Sequence, residues 1–185
     1  CGSGSLVQGL GDFMNAHHKE LELVSVTKKY GPTLAVDAIA PMDKVFCSLQ
    51  RFSLVSPQTR VRILETTLSG TEEAILLRDA DIAIGARVPT AFMGESLGAI
   101  DMVAVASPTH PLFELGESIT EEDLRRHRQI VVRDTGTKRE QNVGWLAAEQ
   151  RWTVSHFSSS IDAVIAGLGF AFIHEHKIRS QLKEG

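Results

Sequence analysis

Hydroxyl side chains gather in two short segments of this chain, Asp134-Thr135-Gly136-Thr137 and Phe157-Ser158-Ser159-Ser160. A hydroxyl both donates and accepts, so Thr135, Thr137 and the three serines suit the orientation of a small polar ligand. The same residue types build turns and cap helices, so each alone fits a purely structural role equally well. Asp37 ends an apolar run and can cap a turn or face a ligand; Arg87 follows a second run and reads as a solvated charge or a ligand contact. His174-Glu175-His176 offers two imidazoles, but alternate spacing in a polar helix splays them and no third ligand is evident. His110 before Pro111 reads as the tie of a turn. No Gly-x-Ser-x-Gly, no nucleophile with an evident base and no motif of paired acids is present. Gly167-Leu168-Gly169 follows a helix instead of opening one, so it is a helix stop and strand entry, not a nucleotide loop. The chemistry on offer is polar recognition without a cofactor or a metal.

Bulk composition narrows the classes. The 185 residues carry a net charge of −4 and 43% hydrophobic content, enough for one domain or two small lobes. No basic stripe with interleaved aromatics is present, which disfavours direct phosphate gripping. Cys1 and Cys47 form no CxxC pair, so neither a disulfide framework nor a zinc knuckle is expected. No apolar run approaches 18 residues and no basic-then-apolar leader opens the chain. These features predict a soluble cytoplasmic protein without membrane contact. The opening CGSGS reads as a flexible lead-in.

The elements follow from periodicity. Positions 7, 10, 13/14, 17, 21 and 24 give a helical stripe over residues 6–24, stopped by Gly31-Pro32. TLAVD at 33–37 is a short strand, and a helix from Pro41 to Phe52 sets Val45, Phe46, Leu49 and Phe52 on its buried side. The block TRVRILETTLSGTEEAILLRDADIAIGA, residues 59–86, reads as strand, turn, short helix, strand, with a capping box at Ser69-Gly70-Thr71-Glu72. IAI at 82–84 is apolar enough for a buried parallel strand. Residues 87–98 are loop-like, and strands are expected at 99–106 and 129–133. A second capping box, Thr120 with Asp123, opens a helix through His127. A strand at 152–154, a helix capped at Ser158–Ser160 and ended by Gly167, and a strand at 169–173 complete the pattern. The expectation is an α/β protein of two Rossmann-like lobes: over 1–30 a lead-in and a helix that either lies on its own domain or is a linker or dimerisation helix, then a first lobe over 31–98 and a second over 99–185. In such sheets ligands bind outside the carboxyl ends of the strands.

With LAVDAIAP, LETTLSGTEEAIL…DADIAIGA, VAVASPTHPL, SITEEDLRRHRQIVVRDTGT and SSSIDAVIAGLGFAFI in that order, residues 33–185 resemble the effector-binding part of LysR-type transcriptional regulators. Residues 6–30 look like that family's linker helix. The resemblance implies two lobes hinged as in type 2 periplasmic-binding-protein folds, with a small-molecule effector in the interlobe cleft. It implies a homodimer or tetramer with residues 41–52 and 71–78 at subunit contacts, and DNA contacts only through an N-terminal winged helix-turn-helix. Neither that head nor the family's return strand and final helix has a counterpart in these residues.

Carried over, the effector contacts are Asp37, Ala38 and Ile39, then Asp134, Thr135, Gly136 and Thr137, then Phe157, Ser158 and Ser159; Arg87, just past a strand, is a further candidate from its position alone. Each of those three segments lies at a strand's carboxyl end or a helix's amino end, where free amides favour polar acceptors. Many family members carry a small hydroxyl where this chain has Asp37. A carboxylate there competes for the amides and repels anions, which biases the effector toward a neutral hydroxylated, aromatic or amine-bearing molecule. Two other classes remain as alternatives: a solute-binding protein of a transport system, which shares the two-lobe plan, and an α/β enzyme.

Overall fold

The computed structural model describes residues 19–25, 31–116, 118–138 and 145–184, with 19–25 described by their backbone. The chain divides into two compact units. Residues 19–100 form the first together with 134–138, and residues 101–133 and 145–184 form the second. The segment after Arg133, expected in the second lobe, therefore groups with the first.

A five-stranded sheet organises the first unit, in the order β3-β2-β4-β1-β5. Its strands are β1 (Lys19–Ser25), β2 (Thr33–Asp37), β3 (Arg62–Thr66), β4 (Ile82–Gly85) and β5 (Gly94–Ile100). β2 lies between β3 and β4 and is parallel to both, with Ala35 opposite Leu64 on one side and Ala83 on the other. Such a strand is covered on both faces and should be continuously apolar. Leu34, Ala35 and Val36 are all buried. Helix α1 (Met42–Val55) connects β2 to β3, and α2 (Ser69–Leu76) connects β3 to β4. Ala74 and Ile75 of α2 pack with Ala35, Ala80 and Ala83, and Val88 and Phe92 cover that cluster.

Several expectations change here. The helical stripe over 6–24 does not survive at its carboxyl end, because 19–25 is a strand antiparallel to both β4 and β5. Lys-Glu-Leu-Glu-Leu-Val-Ser alternates apolar with charged residues, and a period of two competes with the three-and-four spacing. Residues 6–18 lie outside the described residues. The loop expected over 87–98 ends in β5, whose register with β1 shifts between Leu21 and Glu22. The strand expected at 99–106 breaks at Asp101, so that β5 ends at Ile100 and a separate strand starts at Met102. On α1, Val45 is buried but Phe46 and Phe52 are exposed.

The second unit holds β6 (Met102–Val105) paired antiparallel with β9 (Ala171–His174), and β7 (Gln129–Val132) paired parallel with β8 (Arg151–Val154). A bridge between Gln129 and Phe170 joins the two ribbons. Helix α3 (Glu121–Arg125) opens with the expected capping box: the Asp123 amide donates to Thr120 Oγ1, and the Asp123 carboxylate accepts from the Thr120 amide. Helix α4 (Phe157–Ile165) starts at Phe157 with His156 as N-cap, so the serines occupy its first turn and do not cap it. Gly167 follows α4 with φ 72°, the left-handed stop expected of it. A short 3-10 turn at Glu175–Lys177 and helix α5 (Gln181–Glu184) replace the polar helix anticipated after β9. Ile130, Val164, Ala171, Ile173 and Ile178 form one core cluster, and Leu112, Leu124 and Phe170 a second.

Candidate functional site

The carboxyl ends of β2 and β4 meet α2 in the first unit. The chain leaves β2 for β3 on one side and returns past it to β4 on the other, so this is a topological switch point, where open α/β sheets bind ligands. Asp37, Thr66 and Thr71 are buried there. Thr71 Oγ1 donates to Asp37 Oδ2 at 3.3 Å and lies 2.8 Å from Thr66 Oγ1. Since Thr71 gives its one proton to the carboxylate, Thr66 donates to Thr71. Gly85, ending β4, has no room for a side chain: a Cβ would stand 2.8 Å from Thr71 Cγ2.

The turn after β2 is internally satisfied. Asp37 Oδ1 accepts from the Ile39 amide at 3.1 Å. The Ala38 amide donates to the Thr66 carbonyl and the Ala40 amide to the Asp37 carbonyl. The turn-forming reading of Asp37 is what this geometry shows. Its carboxylate makes the turn and occupies the Ile39 amide.

The segment 134–138 docks against α2 and the residues before it. Thr135 Oγ1 accepts from the Thr67 amide at 2.8 Å and donates to the Thr67 carbonyl at 3.1 Å. Asp134 bridges two elements, accepting from Gly136 N at 2.8 Å and from Ser69 Oγ at 2.6 Å. The Glu73 carboxylate accepts from the Thr137 amide at 2.8 Å, the Lys138 amide at 2.6 Å and the Thr137 hydroxyl at 3.2 Å. Two glycines permit the approach. A Cβ on Gly70 would sit 2.0 Å from Thr135 Oγ1, and one on Gly136 would sit 1.9 Å from Ser69 Oγ.

Ser69 therefore does not cap α2. The helix begins at Ser69 itself, after Leu68 with φ 53°, and no side chain caps it. A left-handed leucine costs about 1–3 kcal/mol and persists only where its neighbours over-determine it. Thr67 and Ser69, on either side, are both pinned by the 134–135 pair.

The anticipated site residues therefore separate into groups. Asp37, Ala38 and Ile39 share the first unit with Thr135, Gly136 and Thr137, whose hydrogen-bonding groups work in docking. Arg87 is exposed just past β4. Phe157, Ser158 and Ser159 belong to the second unit, at the start of α4. There the Phe157 ring packs edge-on to His174 at 5.7 Å, with Lys177 Nζ 5.6 Å from its centroid, while Ser158 and Ser159 are exposed. Thr66, Thr67, Ser69, Thr71 and Glu73 complete the constellation and were not singled out as site residues from sequence. The hydroxyl-dense word TTLSGT between a strand and a helix was the available signal.

His174 and His176 lie at the end of β9 and in the 3-10 turn, not in a helix, and their rings stack at 6.2 Å. Among the described residues, no three His, Cys, Asp or Glu side chains are placed to hold a metal ion. No helix among them is long and apolar enough to cross a membrane.

Parallel strands around a polar switch point, in a mixed α/β chain of two units, define a ligand-binding domain with the type 2 periplasmic-binding-protein-like fold of LysR regulatory domains. The family described as LysR substrate binding domain matches residues 33–185, and the chain belongs to that family. It is 27% identical over 157 residues to the uncharacterized HTH-type transcriptional regulator YeeY of Escherichia coli K12, covering 82% of this chain and 51% of that protein. It is likewise 27% identical over 158 residues to the HTH-type transcriptional regulator YhaJ of Escherichia coli O157:H7, covering 83% and 53%. The chain thus spans about half the length of the curated relatives it matches. Two solved structures share the fold. The regulatory domain of MetR from Neisseria meningitidis aligns with a TM-score of 0.62 at 20% identity, covering 84% of this chain and 74% of that one. The Synechocystis CcmR regulatory domain in complex with 2-PG aligns with a TM-score of 0.62 at 16% identity, covering 81% and 74%.

Proposed function

We propose that this chain is the effector-sensing part of a cytoplasmic DNA-binding transcription regulator, and that its effector is neutral and hydroxylated, aromatic or amine-bearing. The observation that carries the effector class is the Asp37 carboxylate holding the Ile39 amide at 3.1 Å. Bare amides at a strand end attract a ligand carboxylate. Here the Ala38, Ile39 and Ala40 amides all have partners, and a side-chain carboxylate is buried among them. A ligand carboxylate would have to displace that bond and approach a like charge.

The effector acts by preferring one arrangement of the domain, because a ligand with equal affinity for two states shifts neither. DNA contact belongs to a head outside this chain. Assembly is as a homodimer through α1 and α2. Phe46, Phe52, Leu54 and Val55 of α1 are exposed, as are Leu76 and Leu77 at the end of α2, an apolar surface that a second copy would cover. No catalytic step is assigned.

A thermal-shift panel tests the effector class. Polyols, aromatic alcohols and amines should include molecules that raise the melting temperature, and simple carboxylates should not. Stabilisation by carboxylates alone would refute the reading.

A further inference from the structure

All five histidines among the described residues, His110, His127, His156, His174 and His176, lie in the second unit. His110 is buried and caps the 3-10 turn Pro111–Leu115, its Nδ1 accepting from the Leu112 amide at 3.2 Å. That bond needs the Nδ1 lone pair, so the ring is neutral and carries its proton on Nε2. Its ring meets the His127 ring edge-on, with centroids 5.0 Å apart. Leu112, two residues after His110, and Leu124, three before His127, form one buried cluster with Phe170.

We propose that the His110–His127 pair is an acid-sensitive joint in the second unit. A proton on His110 Nδ1 removes the acceptor of the Leu112 amide and places a cation against His127. The corner that seats Leu112 and Leu124 on Phe170 then loosens.

The charges on the packed elements do not neutralise such a cation. The 3-10 turn carries Glu114, which is exposed. On α3, Glu121 pairs with Arg125 at 2.8 Å and Glu122 with Arg126 at 3.1 Å. Asp123 serves the Thr120 cap at 2.6 and 2.9 Å, and its field reaches His127. That leaves His110 facing burial and a second imidazole, which together lower its pKa, burial first.

The direction follows by linkage. With the folded value below the ordinary 6.5, the unfolded chain holds the proton more tightly. Stability is complete above 6.5, falls as pH drops toward the folded value, and is level below it. The response belongs to the second unit, since no described residue of the first is a histidine.

Urea unfolding of the whole chain between pH 7.5 and 5 tests the joint with parent, His110→Asn and His127→Gln. Asparagine keeps an N-cap acceptor without titrating. The parent's unfolding constant should rise with falling pH more steeply than that of His110→Asn, by up to about tenfold per pH unit within the window. His127→Gln should fall between them. Equal steepness in parent and His110→Asn would overturn the proposal. If His110→Asn does not fold, hydrogen-exchange protection of the parent's Leu112 amide decides: protection lost below pH 6.5 supports the joint, and constant protection overturns it.

Discussion

Replacing Gly70 with alanine should destabilise the first unit, although the same change within a helix normally helps. Alanine is favoured over glycine inside a helix by about 0.5–1 kcal/mol, and Gly70 lies in the first turn of α2, where less of that gain is realised. Against it stands a Cβ placed 2.0 Å from Thr135 Oγ1, 3.0 Å from Thr135 Cβ and 3.1 Å from the Gly136 nitrogen. Rotating the hydroxyl relieves only the first contact, so the 134–136 backbone must withdraw. The Thr67 amide then loses its acceptor, and a buried unsatisfied donor costs about 1–3 kcal/mol. The net expectation is a loss of about 1–2 kcal/mol, or roughly 2–8 °C in melting temperature for a chain of this size. Urea unfolding of Gly70→Ala, Thr135→Ala and the double variant provides the check. Since Thr135→Ala already strands the Thr67 amide and removes the colliding oxygen, the double variant should lose less than the sum of the singles, by about 1 kcal/mol. A Gly70→Ala protein as stable as the parent, or losses that simply add, would refute the packed contact between α2 and the 134–138 segment.

Other outcomes follow from the same geometry. Asp37→Ser keeps a side-chain acceptor for the Ile39 amide while removing the buried charge, so the variant should gain affinity for simple carboxylates that the parent lacks, read by calorimetry. Glu73→Gln leaves one accepting oxygen where the carboxylate had two, and hydrogen exchange at the Thr137 and Lys138 amides should quicken while the β2 amides stay protected. Phe46→Glu places a charge on the exposed apolar face of α1, and sedimentation should show the dimer falling to a monomer with its melting temperature little changed. Gly167→Ala forces a Cβ into a φ of 72° and should cost about 1 kcal/mol, seen as a lower urea midpoint.

What sequence reveals here is mostly local. β2 runs from Thr33 to Asp37 as its apolar run implied, the Thr120–Asp123 box forms because both partners lie within one turn, and Gly167 adopts the conformation that glycine alone takes freely. Residues 19–25 show the limit. Their pattern fits two periods, and pairing with β4 and β5, distant in sequence, selects the strand. Ser69 shows another. Its Ser-x-x-Glu spacing suggests a capping box, yet its hydroxyl is claimed by Asp134, 65 positions away, and Glu73, not Glu72, makes the long-range bonds. The resemblance pointed to these segments as candidates, but not to the bonds of Thr135 and Thr137 with Thr67 and Glu73. Such partners are invisible to spacing because they depend on how a distant segment returns to the sheet.

Amide chemical-shift mapping of the chain, titrated with a stabilising compound from the panel, checks whether the effector meets the carboxyl end of β2. The largest changes should fall at Asp37–Ala40, at Thr67–Thr71 and at Asp134–Lys138. Changes confined to other residues, with those three segments silent, would contradict it.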